Sequence, residues 1–383
     1  KWVINHRIYH VIREAWQMTT PDNIIGGLPN PDDIPLTPRI ADHDHPENAQ
    51  AFKDWKNTRC TEHEANTAER TSRATLISQL SIAETYLNDT FYYPFSLDTR
   101  GRNYPVAGTL NMQGDDRAKA LLLCGTGKAL GKHGFKFVCR HLASLYGDVV
   151  KELTIEEREV WVEENTPAML NAARSPLDDN YWQQADKPFQ FLAGCFELEQ
   201  ILSAPIREEY VSNLFVHMDG TNNGAGQMAG LAKCKASGAS VGLTNVDEVP
   251  DLYVKVVDTT KKHLAILAEG NLTNAELKAG FKFTDRELAS VPRLSKKWAA
   301  GYIERGTVKS QTMTFVYGSK DYAIRKMVMK AFAKQVKIGE LFPENFSTNI
   351  DDAAYIMRVA ARAIRDEVTS TYVVMEWLKK CAE

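Results

Sequence analysis

Cysteine is sparse and unclustered. The six residues Cys60, Cys124, Cys139, Cys195, Cys234 and Cys381 form no Cys-x-x-Cys pair, which argues for a reducing compartment and against structural zinc. No apolar run approaches the roughly eighteen residues that a membrane helix needs, and no signal peptide opens the chain, so the expected setting is the cytoplasm. Net charge is only -3, which excludes a polycation that coats nucleic acid along its whole length. Internal repeats and low-complexity tracts are lacking. Gly125-Thr-Gly127-Lys128 and Gly131-Lys132 imitate a phosphate loop but lack the Gly-x-x-x-x-Gly-Lys-[Ser/Thr] spacing, so they read as tight loops. His43-Asp44-His45 imitates a metal cluster, yet it lies in a Pro- and Asp-rich stretch without partner ligands at useful spacing. An initiating Met is also missing: the chain begins at Lys1, which reads as a fragment, a processed product or the ordered part of something longer.

What is present is ordinary globular composition. The 383 residues are 44% hydrophobic and 25% charged, enough for a large core and two or three subdomains. Residues 1–18 place apolar side chains at helical spacing, and Pro21 to Pro46 reads as a long loop. From Glu47 to about Asn88 the sequence is polar and free of Pro and Gly, the pattern of long exposed helices such as an arm. Aromatics and glycines cluster after Phe91, and short strands mixed with helices are expected to about Asp247, the stretch that should hold the main sheet. Helical patterns dominate from Val249 onward, ending in one long helix or a helix pair over Ala353 to Lys380.

Positive charge is local. Between Arg293 and Lys337 eleven Lys or Arg stand against only Glu304 and Asp321. Within that region Arg305, Lys309, Met313 and Tyr317 recur every four residues, a spacing that lays two cations, a thioether and a phenol along one helix face and ends at Gly318. Such a face suits a nucleoside triphosphate, the cations holding phosphates and the apolar pair meeting base or sugar. An amphipathic helix with a basic exposed edge fits the same spacing. Phe215-Val216-His217-Met218-Asp219-Gly220 reads as a strand that delivers a carboxylate into a cleft, a common way to hold Mg2+ with a neighbouring carbonyl, or as a strand followed by a simple turn. Asp98-Thr-Arg100-Gly-Arg102 places two arginines about a turn glycine, suited to phosphate or to solvent, and Lys119 could add a further backbone contact. Trp182, Phe189, Phe191 and Phe196 have core-like spacing.

In their order along the chain these segments resemble the single-subunit RNA polymerases of phages, mitochondria and linear plasmids. The resemblance runs through Trp2-Val-Ile-Asn5, Asp98-Thr-Arg-Gly-Arg102, Gln113-Gly114-x-Asp116-x-x-Lys119, Ser175-Pro-Leu177, Trp182 to Ala193, Asp219-Gly220, Asp251-Leu-Tyr253, Arg305 to Ser319 and Met375-Glu-Trp-Leu378. It implies an α+β right-hand fold, mostly helical, with an antiparallel palm sheet. Residues 1–90 would carry an N-terminal helix, loop and thumb-like helices, 91–247 the palm, and 248–383 the fingers. It implies template-dependent nucleotidyl transfer with two Mg2+ ions, bound through Asp219 and the Gly220 carbonyl. Arg305 and Lys309 would hold the triphosphate, with Lys309 as proton donor to pyrophosphate. Tyr317 would gate the sugar, Met313, Gly318 and Tyr253 would complete the nucleotide site, and Arg100, Arg102 and Lys119 would contact template and hybrid. The implied partners are a DNA template, nascent RNA and NTPs, and the expected origin is phage, working in the host cytoplasm.

The DNA polymerase I family shares the Arg-x-x-x-Lys and Tyr-Gly frame. Thr312-Met313-Thr314 replaces its usual Asn-Phe-Gly, and the small Gly220 and Thr221 leave room for a 2′-hydroxyl, so ribonucleotides are favoured. Three departures from the RNA polymerase pattern stand out. Gly224-Ala225-Gly226-Gln227 replaces a Gly-Leu-Gln-His continuation, and the His-Asp-Ser hairpin with the second palm aspartate is missing, as is the upstream promoter-reading domain. A second polypeptide or further segments of a longer chain would have to supply them. A non-catalytic nucleic-acid-binding module is the competing reading.

Overall fold

The computed structural model describes residues 1–40, 48–99, 101–147, 150, 153–218, 220, 222–244, 250–338 and 348–382. The chain divides into two compact units, Lys1–His217 and Met218–Glu383. Helices dominate both.

The first unit contains β1 (Trp2–Ile4), α1 (His6–Met18), α2 (Ala49–Thr85), β2 (Phe95–Leu97), β3 (Asn103–Pro105), α3 (Asp116–Ala120), β4 (Leu122–Cys124), β5 (Lys128–Ala129), α4 (Gly131–Tyr146), α5 (Ile155–Arg174), α6 (Pro188–Ser203) and β6 (Val211–Ser212). The opening segment is thus a short strand before its helix. Asn5 starts α1 by accepting the amide of Ile8, so the polar residue that follows the apolar run fixes the change from strand to helix. The expected long exposed helices are a single helix, α2, of 37 residues. The core joins Ile4, Ile8 and Ile12 to Leu142, Met169, Trp182, Phe189 and Phe191, so the aromatics with core-like spacing are core. All six cysteines are free thiols.

The expected main sheet is not assembled among the described residues. Strands pair as three separate antiparallel ribbons, β1 with β4, β2 with β3 and β5 with β6. Proline and glycine shorten the middle runs: Pro94, Gly101, Pro105, Gly108, Gly125 and Gly127 flank or interrupt β2 to β5, while Asn5 ends β1 by capping α1.

The second unit contains α7 (Asn223–Leu231), α8 (Lys235–Ser240), α9 (Leu252–Glu269), α10 (Asn274–Phe281), α11 (Asp285–Leu288), α12 (Val291–Trp298), α13 (Arg305–Phe315), α14 (Asp321–Ile338), α15 (Ile350–Glu367) and α16 (Thr369–Ala382). Thr273 and Thr284 close capping boxes with Glu276 and Glu287, which is why two short helices form in an otherwise polar stretch. The core packs Leu252, Val256 and Leu264 of α9 with Trp298, Val308, Phe332, Ile356 and Val359. At its edge the fully buried Asp352 accepts from Lys297 Nζ at 2.6 Å and Trp298 Nε1 at 2.8 Å, tying α15 to α12. The chain ends in a helix pair that breaks at Val368.

Candidate nucleotide and nucleic-acid site

In the second unit α13 is amphipathic. Thr307, Val308, Gln311 and Thr312 are buried, and Gln311 Nε2 donates to the Met357 carbonyl at 2.8 Å, locking the helix onto α15. Arg305, Lys309 and Met313 therefore lie together on the exposed face, as the four-residue spacing predicts. Lys309 makes no ion pair or side-chain hydrogen bond with any described residue. Arg305 does: its Nε donates to Asp251 Oδ2 at 2.8 Å, and its guanidinium lies 4.8 Å from the Tyr253 ring centre.

The helix ends earlier than the spacing suggests. Phe315 is its last residue, and Tyr317 stands in the following turn rather than on the helical face. The reason is local. Thr312, Thr314, Phe315 and Val316 are poor helix formers, and the amides of Tyr317 and Gly318 donate to the carbonyls of Thr314 and Phe315, each three residues back, which tightens the last turn. Ser319 Oγ donates to the Thr314 carbonyl at 3.2 Å, and Gly318 adopts φ 66°, the left-handed conformation expected where a helix stops.

This turn packs against the start of α7. A Cβ at Gly224 would stand 2.7 Å from Val316 Cγ2 and 3.7 Å from Tyr317 Oη, so the missing side chain at Gly224 is what admits the turn. Gly220 lies exposed just upstream of α7. Asp219 and Arg100 fall outside the described residues, as does His43-Asp44-His45. The predicted strand into Asp219 is corrected: β6 ends at Ser212, and Asn213 to Met218 carry no strand pairing among the described residues.

In the first unit, Asp98 and Arg102 close the β2–β3 turn, with Arg102 N–H donating to Asp98 Oδ1 at 2.9 Å and the Asp98 amide donating to the Arg102 carbonyl at 3.0 Å. Arg102 is exposed at this tip. Lys119 lies half-buried on α3, which Asp115 caps through the Ala118 amide at 2.9 Å. Asp116 acts structurally, because its carboxylate accepts from the Phe189 amide at 2.8 Å and from Gln190 Nε2 at 2.9 Å and so holds α3 against the start of α6. Burial, then the Lys119 ammonium, pushes the His217 imidazole down to about 4, and burial, then His217, pushes His141 down to about 4. Lys119 thus sits beside His217.

Among the described residues no group of three or more His, Cys, Asp or Glu could hold a metal ion. No helix among them is long and apolar enough to cross a membrane. Asp251 belongs to a segment that carries the family resemblance but has no role assigned by sequence, since its role is visible only in its spatial neighbours. The one available sign was an Asp two residues before an aromatic at a helix start.

A sequence model of the DNA-dependent RNA polymerase family matches residues 128–383. The chain belongs to this family. Among its relatives are the mitochondrial DNA-directed RNA polymerase 1 of Arabidopsis thaliana, 26% identical over 385 residues with 100% of this chain and 37% of the relative covered. The mitochondrial enzyme of Schizosaccharomyces pombe is 28% identical, covering 99% of this chain and 30% of its own. That of Neurospora crassa is 30% identical, covering 98% and 24%. The chain therefore spans less than two fifths of the length of each of these relatives.

Proposed function

We propose that this chain is the nucleotide-holding part of a DNA-directed RNA polymerase of right-hand architecture, which transfers nucleotides from NTPs to nascent RNA on a DNA template. The observation that carries the reading is the exposed Arg305–Lys309–Met313 face of α13, followed by the Tyr317–Gly318 turn packed at Gly224, four residues beyond Gly220. Two cations, a thioether and a phenol thus lie on the stretch that the start of α7 abuts, downstream of the Asp219-Gly220 pair.

Arg305 and Lys309 bind the phosphates, and Lys309 delivers a proton to the leaving pyrophosphate. Tyr317 borders the sugar and Met313 the base, with Tyr253 completing the site beneath Arg305. Arg100, Arg102 and Lys119 hold template and hybrid backbone through charge and hydrogen bonds. Asp219 and the Gly220 carbonyl offer hard oxygen donors, the kind Mg2+ takes, and would hold it. When bound, the metal supplies charge neutralisation at the phosphates and acidifies the attacking 3′-hydroxyl. These two residues alone would offer fewer oxygens than hard divalent cations take, so phosphates, water and a further carboxylate would have to supply the rest.

In this reading residues 1–90 supply an N-terminal helix, loop and thumb-like helices, 91–247 the palm and 248–383 the fingers, with a second polypeptide or further segments of a longer chain supplying the rest. The relatives named above are mitochondrial proteins, so the phage origin and host-cytoplasm setting rest on the family resemblance. The test is Mg2+-dependent, template-directed incorporation of ribonucleotides by the chain joined to its missing segments. Asp219→Ala should abolish incorporation with template binding retained, and activity at the parent level would refute the assignment.

A further inference from the structure

One carboxylate in the second unit does two things at once. Asp251 Oδ1 accepts the amides of Tyr253 at 2.8 Å and Val254 at 3.2 Å, which caps α9. Its Oδ2 accepts Nε–H of Arg305 at 2.8 Å. The capped first turn also carries Tyr253, whose ring lies 4.8 Å from the same guanidinium. Arg305 is thereby held at its inner nitrogen and over one face. Its outer nitrogens, Nη1 and Nη2, donate to no described residue, and Arg305 is 47% exposed.

We infer that Asp251 is a positioning residue, which presets the Arg305 guanidinium so that its two outer N–H groups present a ready fork to an anionic phosphate. The inference rests on the reading of Arg305 as a triphosphate ligand. An unrestrained arginine loses several rotatable bonds when it grips a ligand, and a side chain already fixed through Nε and a ring face has less left to lose. The geometry also opposes the alternative of a latch that must open: the carboxylate occupies the inner nitrogen, not the fork that meets phosphate. An acidic residue beside a phosphate-binding arginine therefore raises affinity by order rather than lowering it by charge, because both groups are open to solvent and their repulsion of the ligand is screened.

The experiment is titration calorimetry of the 383-residue chain with ATP and Mg2+, with adenosine as the phosphate-free control. Asp251→Asn keeps a capping oxygen for α9 and removes the acceptor for Arg305. It should weaken ATP binding roughly fivefold, the cost of immobilising one long side chain, with adenosine binding and melting temperature unchanged. In an Arg305→Ala background the same change should add nothing further. Should Asn lower the melting temperature, Asp251→Ser, also a good cap, replaces it in the same comparison. If Arg305→Ala weakens ATP binding while Asp251→Asn leaves it unchanged or tightens it, the positioning role is wrong and the reading of Arg305 stands. A parent chain that does not bind ATP, or an Arg305→Ala chain that binds as the parent does, overturns the reading of Arg305 and this inference with it.

Discussion

Gly224 and Val316 meet without room for a side chain between them: a Cβ on Gly224 would lie 2.7 Å from Val316 Cγ2. Val316 is β-branched and cannot swing aside cheaply. Gly224→Ala gains about 1 kcal/mol of helix propensity in α7 and loses about 1–3 kcal/mol to crowding. Net stability should therefore change little, while the Tyr317 turn is displaced. The expected result is a melting temperature within a few degrees of the parent together with weakened ATP binding by calorimetry. Parent-like ATP binding would mean the contact does not set the turn.

Asp352 is expected to be the most sensitive acidic residue of the second unit. It is fully buried and accepts from Lys297 and Trp298, while its Oδ2 accepts the Asn349 amide at 2.9 Å. Asp352→Ala removes these acceptors and leaves a charged donor beside the core, at a cost of about 3–5 kcal/mol. Urea denaturation should show a lower midpoint, and Asp352→Asn should restore part of it. A midpoint unchanged by the alanine variant would rule out this anchor.

His141 gives the first unit a pH dependence of known sign. The side chain is buried, and that burial, with His217 second, holds it at about 4 in the fold against an ordinary 6.5. The unfolded chain binds a proton here more readily than the folded one between these values. Stability contributed by neutral His141 is therefore present above the unfolded value and lost as pH falls from about 6.5 towards 4, by at most on the order of 3 kcal/mol. His141→Leu should flatten the fall in melting temperature over that window relative to the parent. Equal slopes would show that the imidazole titrates normally.

Much of the candidate site's layout was legible because its geometry is local. Arg305, Lys309 and Met313 share a face through helical period alone, and the turn at Arg102 follows from Asp98 and Gly101. Tyr317 was misplaced by the same period, since residue spacing does not register where a run of Thr, Phe and Val lets a helix lapse. Strand pairing was illegible for a different reason: partners such as Trp2 and Cys124 lie far apart in sequence, and two or three residues of alternation carry almost no signal.

The sequence by itself determined helix content, the core aromatics, the cationic face and the family, because each depends on residue type and order. Tertiary structure alone decided that Arg305 is gripped by Asp251, that Gly224 admits the Tyr317 turn, and that Asp116 holds α3 against the start of α6. Those depend on which distant segments come within a few ångströms, and packing sets that distance where periodicity cannot.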